Sequence, residues 1–392
     1  MSRFLAVFSS FLIMLCLGGV YAWSIFVPML KKQFGYSTTQ TQIIIALTLS
    51  VFALFMVVAG KMERKFGPRK VSLLGLACLF SGYLLASFSG GNFIVICLGI
   101  GLFCGIGTGC CYVCGVITPA KNFPTHKGLA TGLSVAGFGA GAILLSFLVK
   151  SIIANNPDVS VLELFRWIGI VYASIILLVI YFLNYENSGD ASAKISLSDR
   201  AVEFSDPRFL VLFFTMCAGS FAGLLVLTNV KPMVLSYGFS EDMATMSITI
   251  LSLANMSGRV LWGFVQDKIG VDKSVNIAYV ILFLSAVLFN FVSGSEVFAI
   301  AAIIMTGIGY SCIFVLFVGK TTQLFGIDKL GLVYPYVFLA YAVAGVAGPM
   351  VGGVIFDMTH SYNVALIISS VITLIGLIYY QTSFKKLNKI ST

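Results

Sequence analysis

Twelve apolar runs, each close to 20 residues long and set apart by short polar stretches, constrain this chain more than any other feature. A helix of about 20 apolar residues crosses a hydrocarbon core of about 30 Å, and inside lipid only helices and closed barrels satisfy their own backbone. Barrel strands would show as alternating segments of about 10 residues, so the runs read as helices. They lie near residues 4–30, 41–60, 70–88, 92–119, 128–149, 165–183, 208–236, 242–265, 274–292, 297–324, 331–356 and 363–382. Composition removes the soluble alternatives: 59% of residues are hydrophobic and 10% charged, against roughly 25% charged in soluble domains. The expected fold class is all-α, integral membrane, with twelve transmembrane helices. The first run has the short basic start of a signal peptide. It stays apolar through Phe26 without a small-residue cleavage site, and is expected to be an uncleaved spanning helix.

The runs fall into two sets of six. Residues 184–207, which include ENSGDASAKISLSDR, have the Ser, Gly and charge content of a solvated connection. The expected organisation is a six-helix half at 1–183, a cytoplasmic linker at 184–207, and a second six-helix half at 208–392. A short repeat supports it. GKMERKFGPRK (Gly60–Lys70) returns as GFVQDKIGVDK (Gly263–Lys273), with Gly263, Gly270 and Lys273 on Gly60, Gly67 and Lys70, at an offset of 263 − 60 = 203 residues. A repeat at half-length is the mark of two parallel halves. Both copies are expected to be gating loops, through Gly60, Gly67 and Arg69 in the first and Gly263, Asp267, Lys268 and Gly270 in the second. Asp267 would bond to a neighbouring helix terminus. The first copy has Arg64 at that position and Glu63 one place earlier.

Lysine and arginine set the topology. With both termini cytoplasmic, seventeen of the 24 fall in inner segments and four (Lys31, Lys32, Lys150, Arg166) in outer ones. The net charge of +9 therefore belongs to orientation in a cell (inner or plasma) membrane and not to nucleic-acid binding. Three cations remain inside the runs: Lys231, Arg259 and Lys320. All fifteen Asp and Glu read as lying in loops or at helix ends, which leaves these three without an acidic partner and makes a bound anion the expected counter-charge. The planar fork of Arg259 matches a carboxylate. For each cation there is a competing reading in which the side chain snorkels to the interface; Arg259 sits about 10 Å inside the expected helix end.

Aromatic residues at midplane depth form a second layer. Tyr21, Trp23, Tyr310 and Tyr341 are candidates to line a central site, where a tyrosine offers a hydroxyl to a carboxylate and a ring to a short carbon chain. Glycine-rich faces at 128–142 and 342–353 allow close helix approach. The nine cysteines lie in apolar runs and read as packing residues; Cys110, Cys111 and Cys114 cluster without a histidine, so no metal site and no cofactor is expected.

The repeated segment resembles the signature of the major facilitator superfamily between helices 2 and 3 and between helices 8 and 9. More narrowly, GGVYAWSIF (Gly18–Phe26), FGPRKVSLLG (Phe66–Gly75) and NFPTHKGLATGLSVAGFGAGA (Asn122–Ala142) are similar to the oxalate/formate antiporter family, related to the monocarboxylate transporters. The resemblance implies secondary transport of small carboxylates by alternating access, by a chain working as a monomer, with Arg259 as the helix 8 arginine. A second cation in helix 11, which the oxalate transporters carry, has no counterpart: no Lys or Arg occurs between Gly331 and Phe356, and Tyr341 lies in that region. Either Lys320 or Lys231 supplies a replacement charge, or the substrate is a monoanion such as pyruvate, lactate or formate, needing one strong cation; transport would be by exchange against a counter-anion or with protons. A transporter of neutral or cationic solutes such as amino acids, and a carboxylate sensor, are the competing readings. No nucleophile with its base, and no paired acids, can be assembled from these helices, so an enzyme is not expected.

Overall fold

The computed structural model describes residues 3–185, 204–292 and 294–390; the expected linker, with Lys194 and Arg200, falls mostly outside them. Among the described residues every regular element is helical, and twelve helices are long and apolar enough to cross a membrane. The first half holds α1 (Arg3–Leu17), α2 (Thr38–Phe66), α3 (Pro68–Ser87), α4 (Phe93–Asn122), α5 (Lys127–Asn155) and α6 (Val161–Phe182). The second holds α7 (Pro207–Ser236), α8 (Glu241–Ile269), α9 (Val271–Phe289), α10 (Glu296–Phe325), α11 (Leu330–Thr359) and α12 (Asn363–Ile390). The first apolar run is not one uniform α-helix. After α1 the backbone tightens into a 3-10 stretch, Gly18–Ile25, and resumes as Phe26–Phe34. The stretch opens on two glycines, poor α-formers.

Contacts divide the chain into two compact units, Met1–Glu186 and Asn187–Thr392. In the first, α1 packs on α5, α2 on α4, and α3 on α4 and α6. In the second, α7 packs on α11, α8 on α10, and α9 on α10 and α12. The duplication therefore extends to the packing. It also holds at single residues. Both α2 and α8 are 29 residues long. Both start after a serine cap, Ser37 or Ser240, whose hydroxyl accepts a backbone N–H. Both stop at a glycine with nearly the same torsions, φ 80°, ψ 164° at Gly67 and φ 86°, ψ 155° at Gly270. Only glycine adopts that conformation without strain.

The gating-loop expectation needs correction here. Gly60 and Gly263 lie inside helices, as do Glu63, Arg64, Asp267 and Lys268; only Gly67 and Gly270 break the run. Met, Glu, Arg and Lys are strong helix formers, so the charged segments continue the helix past its apolar part instead of ending it.

Glycine also sets the approach of α1 to α5. A Cβ on Gly141 would stand 1.8 Å from the Leu15 carbonyl oxygen, and one on Gly18 would stand 2.0 Å from that of Phe138. The backbones touch, which no larger residue permits. The cysteines serve similar packing: Cys110 and Cys111 fill the space over Gly75 of α3, and all nine are free thiols.

Candidate functional site

Arg259 lies in the middle of α8. Because the helix runs on to Ile269, the residue is about 15 Å from that end rather than about 10 Å. Its side chain is 1% exposed. Nε donates to Asn255 Oδ1 at 3.1 Å, one turn toward the helix N-terminus, and the guanidinium carbon lies 4.2 Å from the centre of the Phe314 ring. A snorkelling side chain would extend toward Ile269; this one points away from it.

Phe314 belongs to a 3-10 stretch, Cys312–Phe314, in the middle of α10. It joins the arginine to an aromatic cluster drawn from α10 and α11. Tyr310 meets it edge-on at 5.5 Å, Tyr341 meets it edge-on at 5.7 Å, and Phe338 stacks on Tyr341 at 5.0 Å. The Tyr310 and Tyr341 hydroxyls are 3.4 Å apart. Gly223 of α7 makes room for the Tyr310 ring, since a Cβ there would lie 1.9 Å from Tyr310 Cδ2. Three of the residues picked from sequence, Arg259, Tyr310 and Tyr341, are thus brought together within the second half. Asn255, Phe314 and Phe338 complete the cluster and were missed. The spacing of Asn255 four residues before Arg259, on one helix face, was the available signal.

The other two interior cations stand elsewhere, and the expectation that they lack acidic partners is corrected. Lys320 is 4% exposed, and its Nζ lies 2.6 Å from Asp272 Oδ1 and 3.0 Å from Gln323 Oε1. Tyr380 Oη donates to the same Asp272 oxygen at 2.6 Å, so the ends of α9, α10 and α12 are tied by one carboxylate. Lys231 pairs with Glu241 at 3.0 Å in a partly exposed contact at the opposite end of the half. Counting along single helices fixed depth but not which ends meet. The first half has a comparable knot: Glu63, 2% exposed, accepts from Tyr185 Oη at 2.5 Å and lies 4.0 Å from Lys121 Nζ.

In the first half, Trp23 stacks on Phe165 and donates its indole N–H to the Thr41 carbonyl at 3.0 Å, which makes it a packing residue of that half. Tyr21 is half-buried, edge-on to Phe138 at 5.1 Å. Stepping back 203 residues from Arg259 and Asn255 leads to Met56 and Phe52. The position equivalent to Arg259 in the first half therefore holds no cation. At the glycine breaks, Arg69 lies over the Tyr181 ring at 4.7 Å, Lys268 over Phe264 at 4.3 Å, and Asp267 is half-buried.

The comparisons with known proteins agree with this architecture. The family model for the Major Facilitator Superfamily matches residues 4–334 and 211–390. The oxalate:formate antiporter of Oxalobacter formigenes is 26% identical over 371 residues, spanning 93% of this chain and 87% of its own. An uncharacterized MFS-type transporter of Escherichia coli (strain K12), YhjX, is 23% identical over 354 residues, with 88% and 86% covered. Two solved structures share the fold at low identity. The E. coli fucose:proton symporter FucP superposes with a TM-score of 0.73 at 15% identity, covering 97% of this chain and 98% of that one. The proton:xylose symporter XylE, bound to 6-bromo-6-deoxy-D-glucose, gives 0.73 at 14% identity, with 97% and 95% covered. Twelve membrane-spanning helices in two matching sets of six, and a family match across nearly the whole length, place the chain in the major facilitator superfamily, as a multi-pass membrane transporter.

Proposed function

We propose that this transporter moves a small monocarboxylate, of the class of formate, lactate or pyruvate, and that Arg259 holds the carboxylate. The observation that carries the reading is the guanidinium of Arg259 at membrane depth, turned inward onto Phe314, whose ring also packs against those of Tyr310 and Tyr341. Charges at such depth are costly and are kept where they face a solute path. A guanidinium grips both carboxylate oxygens, the two hydroxyls add donors, and the rings suit a short carbon chain. Likeness to the oxalate:formate antiporter supports an anion. A monoanion fits better than a dianion: Lys320 and Lys231 are each engaged by an acid, and no Lys or Arg lies between Gly331 and Phe356. We further propose that both termini are cytoplasmic in a cell membrane, on the asymmetry of lysine and arginine, and that the single chain works by alternating access of its two repeats.

Thermal unfolding of the detergent-purified protein tests the substrate class. Ligands that bind the folded state raise Tm by mass action. Formate, pyruvate, lactate, oxalate, succinate, alanine and a cationic amine are compared on the wild type and on Arg259→Ala. Stabilisation by one monocarboxylate that disappears in the variant is the expected result. Stabilisation by alanine or the amine alone, unchanged in Arg259→Ala, overturns the proposal.

A further inference from the structure

Asn255 is 6% exposed, yet only one side of its amide is used. Its Oδ1 accepts from Arg259 Nε, while its Nδ2 has no acceptor among the described residues. The two amide ends cannot be exchanged, because turning the group over would set an N–H against the arginine N–H. The donor is therefore fixed by the arginine, and a buried donor without a partner calls for an explanation. Resting on the monocarboxylate reading above, we propose that Asn255 Nδ2 donates to the same anion that Arg259 holds, and that this neutral amide makes the site bind its anion without taking up a proton.

The chemistry follows from the pair. A carboxylate at position 255 would form an ion pair with Arg259 and compete with the substrate until it was protonated, so anion binding would carry a proton with it. An amide keeps the same geometry on Nε and titrates nowhere in the physiological range. Among the described residues of the second half, the neighbouring helices do not replace the missing acid. The charged or titratable side chains on the helices packed against α8 are Arg208, Cys217 and Lys231 of α7, Asp272, Lys273 and Tyr279 of α9, and Glu296, Tyr310, Cys312 and Lys320 of α10. Their carboxylates, Asp272 and Glu296, stand in first turns and not at the depth of Asn255. Anion-for-anion exchange is the mode this site favours.

The test is exchange of labelled formate or pyruvate in proteoliposomes loaded with the same anion, measured from about pH 5.5 to about pH 8, the range in which a perturbed carboxyl titrates. Wild-type exchange is expected to be flat with pH. Asn255→Asp, nearly isosteric, should exchange at least about tenfold more slowly at the alkaline end and recover as the medium is acidified, which a merely structural role would not produce. Asn255→Ala should raise KM several-fold with a flat profile, and Asn255→Ser, which keeps a donor, should lie between. Wild-type KM and flat profiles in all three variants would reduce Asn255 to a hydrated packing residue and overturn the proposal. A wild-type KM in Arg259→Gln as well would bring down the monocarboxylate reading itself, so the two failures are distinguishable.

Discussion

Arg259 reaches back four residues to a neutral partner, and that direction, more than its presence, sets the character of the site. The hydroxyl pair of the same aromatic cluster gives a second test. Tyr341→Phe removes the partner of Tyr310 Oη while keeping the ring stacked on Phe338. It also removes the donor proposed for the substrate, a hydrogen bond of about 0.5–1.5 kcal/mol, which should raise KM roughly three- to tenfold in an exchange assay, with little change in Tm because the contact between the two hydroxyls is long at 3.4 Å. The Lys320–Asp272 pair belongs to stability instead. Asp272→Asn leaves a lysine with a 5% exposed side chain facing an amide, but the acid itself is 46% exposed, so the loss should be about 1–3 kcal/mol, below the range for a fully buried pair. The double variant Lys320→Met, Asp272→Asn should recover most of the lost Tm; if Asp272→Asn melts like the wild type, the pair is not holding the helix ends. Arg259, Tyr310 and Tyr341 were legible because depth along an apolar run can be counted. Asn255 was not, since a lone amide in a helix gives no sign until the arginine is seen bonding to it. Asp272 and Lys320, 48 residues apart, meet only through the packing of α9 on α10.

At the scale of the helix, number and order were readable and ends were not. Hydropathy ends where charge begins, but the helix does not: α2 carries Lys61 to Lys65 as ordinary helical residues and stops only at Gly67. In α8 the same effect, an expected end at residue 265 against the observed Ile269, placed Arg259 too near the interface and made snorkelling look feasible. Glycines on helix faces were visible in the sequence, though not which of them are indispensable. Gly141→Ala drives a methyl into the Leu15 carbonyl and should cost about 1–3 kcal/mol, with a clear fall in Tm. Gly353→Ala in α11 meets nothing within 4 Å and should be neutral or stabilising by up to about 1 kcal/mol. Equal melting of the two variants would show that the contact between α1 and α5 yields without cost.

For the whole molecule, the 203-residue offset proved more informative than any single motif, because it predicts caps, helix lengths and breaks together. The chemistry does not follow the duplication: Met56 and Phe52 occupy the places of Arg259 and Asn255. The shared scaffold was legible as a repeat, whereas the site was legible from the depth of Arg259 in its own helix and not from the repeat. The glycine joints carry one more consequence. A single residue between two rigid rods spans about 3.8 Å from one Cα to the next, so the ends of α2 and α3, and likewise of α8 and α9, cannot slide apart. Each pair is a lever with a pinned elbow, free to change its angle and with no slack to lose. A displacement of one arm's end at the joint therefore carries the other arm's end with it, without any loop to absorb it.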